Sequence, residues 1–364
     1  MSDLAPLEAE IRRRIAVAGP MPVAEYMGLC LAHPQYGYYV TTDPLGLRGD
    51  FITAPEVSQM FGELIGLWLA TIWQQLGSPE NIRLVELGPG RGTLLRDALR
   101  ASRIVPGFAD AVVLHLVEIN PLLKTQQEVA LEALGVPALW HTSFRDVPKG
   151  PALIVANEFF DALPVNQAVK MGDGWHERQV GLDGNGRLAF TAAEATLAHF
   201  ERLLPAPLRE AAEGAIFEWR ADTVALDLGK RIAREGGAAL IIDYGHAESG
   251  IGDTLQAVGQ HAFADPLTAC GALDLTAHVD FAQLAAAFEA IGARAHGPVT
   301  QSVFLRRLGI EARANTLKAN AARPADIDAA LARLVGTGRS AMGALYKAMA
   351  VTPPTLGTVA GFAG

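Results

Sequence analysis

The stretch Val85-Glu86-Leu87-Gly88-Pro89-Gly90-Arg91-Gly92-Thr93-Leu94 decides the fold of this chain. It ends an apolar run from Ile82 to Leu87, which is typical of a buried parallel strand, and it precedes apolar positions at helical spacing from Leu94 to Leu99. A strand, a glycine-rich turn and a helix are the context that a nucleotide-binding loop requires. The sequence therefore predicts an open α/β sheet with a ligand at this turn.

The spacing of the glycines indicates which ligand. Thr93 stands where a dinucleotide-binding loop has its third glycine, and Glu86 lies two positions before Gly88. A pyrophosphate favours the positive end of a helix and is repelled by a nearby carboxylate. S-adenosyl-L-methionine (SAM) has no phosphate, and its ammonium, sulfonium and ribose hydroxyls are compatible with that carboxylate. The loop thus favours SAM, with S-adenosyl-L-homocysteine as product, over a nicotinamide cofactor. A glycine-rich turn without a ligand is the alternative. The predicted contacts from this loop are Glu86, Gly88, Pro89, Gly90 and Gly92.

Composition limits the partners and the compartment. The 364 residues carry a formal net charge of −9, which argues against duplex nucleic acid as a partner. Cys30 and Cys270 form neither a disulfide framework nor a metal site, and we predict no bound metal. The start Met1-Ser2-Asp3 lacks the apolar segment of a signal peptide, and no apolar run approaches the ~20 residues of a membrane span. We therefore expect a cytoplasmic protein without membrane insertion.

Polar residues follow the next predicted strands, which are Val112 to Val117, Ala138 to His141 and Leu153 to Ala156. Glu118 is placed to accept hydrogen bonds from two ribose hydroxyls, although a solvated strand end is the alternative. Ser143 stands where many methyltransferases have an aspartate for the adenine amine. Asn157 follows the fourth strand. Because ligands of open α/β sheets bind beyond the carboxyl ends of the strands, we assign Glu118, Ser143 and Asn157 to the cofactor.

The motif Asn157-Glu158-Phe159-Phe160-Asp161-Ala162-Leu163-Pro164 follows the fourth strand. Two carboxylates and two phenylalanines suit a cationic or nitrogen-bearing substrate, since the acids supply charge and the rings exclude water. We predict Glu158 and Asp161 as catalytic residues, and Phe159 and Phe160 as substrate contacts. Helix capping by the polar residues and core packing of the rings is the alternative.

A second motif, Gly49-Asp50-Phe51-Ile52-Thr53-Ala54-Pro55-Glu56, precedes a long predicted helix from about Glu56 to Gly77. Helix capping accounts for Thr53, Pro55 and Glu56, but it leaves Asp50 and Phe51 unexplained. We predict Asp50 as a third catalytic carboxylate. Phe51, Thr53 and Glu56 are predicted substrate contacts. His246, after the fifth strand, is assigned to the substrate as well, with a structural role as its alternative.

The remaining chain completes the predicted sheet. Residues 165–218 are too long for a strand–helix connection and contain hairpin signals, so they are predicted to form an insertion on the substrate side. A crossover helix is expected from Trp219 to Glu235 and a fifth strand from Ala238 to Ile242. Ala293 to His296 and Ser302 to Leu308 are predicted as an edge hairpin, a feature that a plain dinucleotide-binding fold lacks.

Several motifs together resemble the MidA-type methyltransferases, which are related to the mitochondrial complex I assembly-factor arginine methyltransferases. The resemblance rests on Gly49 to Glu56, ELGPGRG from Glu86 to Gly92, Asn157 to Pro164, Asp243-Tyr244-Gly245-His246, and Asp274 to Phe281. It implies a seven-stranded, Rossmann-like SAM-dependent methyltransferase fold of the α/β class. That fold has a helical N-terminal extension over residues 1–78 and a methyltransferase domain over residues 79–364. The domain carries the insertion between strands four and five and a C-terminal helical tail over residues 311–350.

The resemblance also implies methylation of an arginine on a subunit of respiratory complex I, so that the partner is a protein. In this interpretation the N-terminal segment and the insertion form two sides of a substrate groove. An oligomer is compatible with the sequence. A small-molecule or other nitrogen methyltransferase stays open and predicts a closed pocket. A SAM-binding assembly chaperone stays open as well and predicts cofactor binding without turnover.

Overall fold

A computed structural model describes residues 4–43, 52–132, 134–221, 223–338 and 340–362. Asp50 and Phe51 lie outside these ranges. The helices of the described ranges are α1 Pro6–Ala18, α2 Val23–Ala32, α3 Tyr38–Thr41, α4 Ala54–Val57, α5 Gln59–Gln75, α6 Thr93–Ser102, α7 Phe108–Ala111, α8 Pro121–Glu132, α9 Thr223–Glu235, α10 Phe281–Ala290, α11 Gln301–Arg307, α12 Ile310–Lys318 and α13 Pro324–Val335. None of these described helices combines the length and the hydropathy needed to cross a bilayer.

The strands of the same ranges form three sheets. They are β1 Met21–Pro22, β2 Ile82–Leu87, β3 Val112–Val117, β4 Ala138–His141, β5 Ala152–Asn157, β6 Val165–Met171, β7 Gly174–Leu182, β8 Leu188–Thr196, β9 Ile216–Arg220, β10 Gly237–His246, β11 Gln256–Gly259, β12 Ala262–Ala264, β13 Asp274–Thr276, β14 Val279–Asp280, β15 Arg294–Thr300 and β16 Tyr346–Thr352.

The central sheet has the strand order β4-β3-β2-β5-β10-β16-β15, with β14 added beside β10. Neighbouring strands from β4 to β10 are parallel, whereas β16 runs antiparallel to both β10 and β15. Helices cover both faces of the sheet, which is why the inner strands are apolar almost throughout. The predicted α/β, Rossmann-like fold is confirmed, and the carboxyl ends of β2, β3, β5 and β10 meet at one edge.

The edge pair differs from the predicted hairpin. Residues 301–307 form helix α11, which begins where the Thr300 hydroxyl accepts a hydrogen bond from the Val303 N–H. The run that includes Phe304 and Leu305 is buried at helical spacing, and apolar runs this short fit either a strand or a helix. The seventh strand is β16 instead, which begins within the range predicted as a helical tail, residues 311–350, and ends at Thr352. Its position depends on long-range pairing with β10 and β15.

Two predicted helix starts were also wrong. The crossover helix α9 begins at Thr223, because residues 216–220 pair with β6 as strand β9. The long N-terminal helix is divided at Ser58, whose backbone is extended and whose hydroxyl accepts a hydrogen bond from the Met60 N–H. Both shifts matter for the site, since they place Arg220 on a strand and Ala54 at a helix start.

The N-terminal extension and the insertion share one apolar core. Strand β1 pairs with β7, and Leu7, Ile11 and Tyr26 from the first helices pack in one cluster with Val165 and Val180 from the insertion. The small sheet β12-β11-β13 joins the same cluster through Ala257 and Leu275. These segments therefore form a single packed unit beside the central sheet.

Candidate active site

A cavity of about 920 Å³ lies at the carboxyl ends of the parallel strands, a volume within the usual range of small-ligand sites. It has two halves. The glycine-loop half comprises Glu86, Gly88, Pro89, Gly90, Glu118, Ser143 and Asn157. The carboxylate half comprises Tyr39, Glu158, Phe159, Asp161, Tyr244, Asp274, Thr276 and Tyr346. Thr53 and Glu56 line the cavity as well.

The glycine loop requires its glycines. Gly88, Gly90 and Gly92 have φ angles of 61°, 54° and 77°, in the left-handed region that other residues rarely adopt. A Cβ on Gly88 would also lie 3.1 Å from the ring of Phe159. Glycine at these positions therefore lets the loop pass close to Phe159 and lead into α6, whose first turn follows Gly92.

A buried glutamine joins the two loops of the glycine-loop half. The Gln127 side chain donates to the Gly90 carbonyl at 2.7 Å and to Glu118 Oε2 at 3.0 Å. The Asn120 N–H donates to the other oxygen of Glu118 at 2.7 Å. Gln127 therefore fixes the spacing between the loops that follow β2 and β3. No sequence motif indicated Gln127, because it lies inside helix α8.

Two buried acceptors in this half have no donor within the described part of the protein. They are Glu86 Oε2 and Asn157 Oδ1, on side chains that are only 3% and 7% exposed. Burial, and then the negative charge of Glu118, raise the pKa of Glu86 well above its usual range. An unsatisfied buried acceptor costs about 1–3 kcal/mol, so a ligand with donor groups would stabilise this half. The ammonium and hydroxyl groups of SAM fit that requirement.

Ser143 has a local role in addition to its position at the cavity. Its hydroxyl accepts a hydrogen bond from the Arg145 N–H at 3.3 Å and caps the short 3₁₀ helix Phe144–Asp146. Because Ser143 also lines the cavity, its predicted contact with the adenine ring of a bound cofactor stays a prediction.

Glu158 is held by three donors at the centre of the cavity. Its Oε1 accepts from the Ala54 N–H at 3.0 Å and from the Asn157 side chain at 3.1 Å, and its Oε2 accepts from the Tyr346 hydroxyl at 3.1 Å. Its backbone has a φ of 50°, which is strained for a residue other than glycine. The Glu158 N–H donates to the Ile242 carbonyl, which stabilises this conformation. Strained residues of this kind cluster at functional sites.

The pKa of Glu158 is raised to about 7. Burial is the main cause, the neighbouring Asp161 raises it further, and the three donors act in the opposite direction. A carboxylate with a pKa near neutrality is suited to accept a proton.

Asp161 points into the carboxylate half with an unsatisfied oxygen. The residue is 5% exposed, and its Oδ1 has no donor in the described ranges. Burial raises the pKa of Asp161, against the opposing effects of Tyr244 and Arg220. A ligand that brings a positive charge and N–H donors would satisfy this oxygen.

The buried Asp243 and the half-buried Arg220 hold the turn that carries Glu158 and Asp161. Asp243 Oδ2 accepts backbone N–H groups from Phe159, Phe160 and Asp161 at 3.1, 2.9 and 3.2 Å. Among the described residues, Arg220 donates to four backbone carbonyls, which are those of Asp161, Leu163, Ala277 and His278. The turn is thereby fixed between β10 and the insertion.

Three tyrosines complete the carboxylate half. The Tyr39 hydroxyl donates to Asp274 Oδ1 at 2.7 Å. The ring of Tyr244 packs edge-on against Tyr346, with centroids 5.5 Å apart, and against His278 at 5.6 Å. Aromatic rings beside carboxylates form a suitable environment for an organic cation. The sequence motifs did not indicate Tyr39, Thr276 or Tyr346 as site residues.

Other predicted residues have different surroundings. Phe160 is 2% exposed, packs in the core and does not line the cavity, and its N–H is bonded to Asp243. His246 lines a separate cavity of about 260 Å³ and bonds to the Glu248 carbonyl. Phe160 and His246 therefore do not line the cavity that holds Glu158 and Asp161.

Thr53 and Glu56 line that cavity beside helix α4. Thr53 precedes α4 without a side-chain capping bond, and Glu56 accepts from the Thr93 hydroxyl at 2.5 Å.

Comparison with known proteins identifies the family. The family model described as "Putative S-adenosyl-L-methionine-dependent methyltransferase" matches residues 64–299. A crystal structure of a protein from Burkholderia thailandensis bound to S-adenosyl-homocysteine superimposes with a TM-score of 0.86 at 29% identity, covering 98% of this chain and 94% of that one.

Curated relatives carry a more specific name. "Protein arginine methyltransferase NDUFAF7 homolog, mitochondrial" from Drosophila melanogaster is 39% identical over 343 residues, which are 86% of this chain and 77% of the relative. "Protein arginine methyltransferase NDUFAF7, mitochondrial" from Homo sapiens is 38% identical over 346 residues, 87% of this chain and 76% of the relative.

These names contradict the predicted cytoplasmic location, since the relatives are mitochondrial proteins. The prediction relied on unpaired cysteines, and these are common to every compartment that keeps thiols reduced. The predicted enzyme class and cofactor are confirmed. The chain belongs to this family of SAM-dependent methyltransferases, together with the relatives named NDUFAF7.

Proposed function

We propose that this enzyme methylates a nitrogen of an arginine side chain in a protein. The observation that carries the proposal is the buried Oδ1 of Asp161, which has no donor among the described residues and shares one cavity with Glu158 and with the glycine loop. The names of the relatives support the same acceptor. SAM supplies an electrophilic methyl group on its sulfonium when it is bound.

The carboxylate half fits a guanidinium in charge and in shape. An arginine nitrogen is a poor nucleophile, because its lone pair is delocalised and its pKa exceeds ~12. Asp161 and Glu158 can each accept N–H groups of the guanidinium, which orients one nitrogen toward the glycine-loop half. The rings of Tyr244 and Tyr346 exclude water from the same region. We propose Glu158 and Asp161 as the catalytic residues.

Proton transfer is the second proposed role of Glu158. A methylated guanidinium stays protonated, so each transfer releases one proton from the nitrogen that is methylated. Glu158, with a pKa of about 7, can accept this proton and pass it on. The Tyr346 hydroxyl and the Ala54 N–H keep the accepting carboxylate in place.

In the glycine-loop half we propose that Glu86, Gly88, Pro89, Gly90, Glu118, Ser143 and Asn157 hold SAM. Gly92 was predicted as a further contact, but it does not line the cavity and packs against Gln127 and Ala130, so we propose only that it supports the turn. Thr53 and Glu56 are proposed for the substrate side, where they line the cavity. We further propose a subunit of respiratory complex I as the acceptor protein. Its support is the resemblance of the sequence motifs to assembly-factor methyltransferases.

The proposal is tested by identifying the methylated residue. The enzyme is incubated with methyl-labelled SAM and a lysate from a strain that lacks it, and the labelled protein is hydrolysed to amino acids. We expect label in methylarginine on a discrete protein. Label in another amino acid would contradict the arginine proposal. Label confined to the small-molecule fraction would support a small-molecule methyltransferase, and SAM binding without any transfer would support the chaperone alternative.

A further inference from the structure

One face of the small sheet β12-β11-β13 forms a wall of the active-site cavity. Val258 pairs with Phe263 on one side and with Asp274 on the other, and all three line the cavity. Gln256 and Thr276 form a second pair on this face, joined by a hydrogen bond of 3.3 Å. The opposite face is fixed in the N-terminal core by Ala257 and Leu275. The orientation of the wall is thereby determined.

The residues of this wall change from buried and acidic in the interior to exposed and apolar at the surface. Asp274 is 4% exposed, whereas Phe263 is 78% exposed. Neighbouring strands lie about 4.7–4.9 Å apart, so two strand spacings separate the buried carboxylate from the exposed ring by roughly 10 Å. The row therefore begins at the carboxylate half and ends at an apolar group at the cavity mouth.

Strand β12 stands at the surface as a formed hairpin. All three of its residues are exposed, and the two-residue turn Gln260-His261 has φ angles of 52° and 60°. Such a turn is of the type that matches the twist of paired strands, but residues other than glycine are strained in it. A single exposed apolar side chain is ordinary by itself, but Phe263 also lines the cavity beside its strand partner Val258. This continuity with the cavity points to the substrate as the group that Phe263 contacts.

We propose that Phe263 and Val258 form a rim subsite for an extended peptide segment that carries the target arginine. The subsite takes an apolar side chain beside that arginine, while the long arginine side chain reaches inward to Asp161 and Glu158. This inference rests on the proposed function and deepens it, because it assigns the specificity to a peptide and not to free arginine. Phe263 is a specificity residue and makes no contact with the reacting atoms.

The test compares Phe263→Ala with the parent enzyme, using as acceptor the lysate protein that the parent labels. We expect the KM for this acceptor to rise about tenfold with kcat nearly unchanged, because the contact is the same in the ground state and the transition state. The affinity for SAM should stay the same. Phe263→Leu retains apolar area and should recover most of the lost affinity. Since the side chain is exposed, neither change should prevent folding.

Ile104→Ala is the matched control, as Ile104 is 75% exposed and lines neither cavity. It should leave KM unchanged. Equal KM values for the parent and Phe263→Ala would overturn the rim subsite while arginine labelling by the parent still upheld the proposed function. If the parent labels no arginine, the proposed function fails and the rim subsite fails with it.

Discussion

The glycine-loop half of the cavity is built from short, consecutive pieces of chain, whereas the carboxylate half is assembled from distant ones. The first half comes mainly from the loops after β2 and β3, joined by Gln127. The second half brings together Tyr39 from α3, Asp161 after β5, Tyr244 on β10 and Tyr346 on β16. Both halves contain buried acceptors without a donor in the described ranges.

This difference separates two functions physically. We expect the glycine-loop half to bind its ligand without the insertion, because its loops follow strands of the central sheet. The carboxylate half depends on Asp243 and Arg220, which connect the central sheet to the insertion. We therefore expect changes in one half to leave the other largely intact.

The largest effect is expected in the glycine-loop half. Gly90→Val places a β-branched residue at a φ of 54°, where it is strained, and adds bulk where a ligand approaches the backbone. SAM affinity should fall at least about 100-fold, which calorimetry can measure. Gly184→Val is a matched control in an exposed turn with open space around it, and it should bind SAM normally. Normal SAM binding by Gly90→Val would remove the assignment of this loop.

A smaller effect is expected from pH. If Glu158 acts as a carboxylate with a pKa of about 7, the single-turnover rate should rise about tenfold between roughly pH 6 and 8 and then level off. SAM affinity in the glycine-loop half should not follow the same curve. A rate independent of pH over this interval would exclude Glu158 as the titrating group.

Tyr346→Phe should shift the midpoint of the same pH–rate profile. In the parent, the Tyr346 hydroxyl donates to Glu158 Oε2, and this hydrogen bond lowers the pKa of the carboxyl. The substitution removes the hydroxyl and so raises that pKa. The midpoint should move to higher pH by on the order of one unit, because a hydrogen bond to a charged group contributes about 1.5–3 kcal/mol. An unchanged midpoint would show that Tyr346 does not position this carboxylate.

The smallest effect is on stability. The pKa of Glu158 is raised from 4.5 to about 7 on folding. Between these two pH values the folded state therefore keeps a proton on Glu158 that the unfolded state has released. Stability from this group is therefore lost as the pH rises through this interval. Glu158→Gln does not titrate, and its stability relative to the parent should increase by about 1–3 kcal/mol between roughly pH 5 and 8. Denaturant unfolding at the two pH values measures this, and a difference independent of pH would contradict it.

The two halves also differed in how far the sequence predicted them. β2, β3 and β4 agree with the predicted strands residue for residue, because each is an apolar run bounded by local turn signals. Asp280, in the last motif of the resemblance, likewise has a local role, since its side chain accepts from the Gln283 N–H at the start of α10. Tyr346 could not be found this way, because strand β16 is defined by its pairing with two distant strands. Asp274 and Thr276 belong to β13, a strand of three residues that is likewise defined by its pairing with β11.

The most direct test of the central claim measures both halves in one variant. Glu158→Gln keeps the size of the side chain and removes its charge, and single-turnover transfer of labelled methyl to the acceptor protein should fall by roughly 10²-fold or more. Its SAM affinity should stay within a few-fold of the parent value, and the exposed control Glu213→Gln should match the parent in both. Transfer at the parent rate by Glu158→Gln would contradict the account.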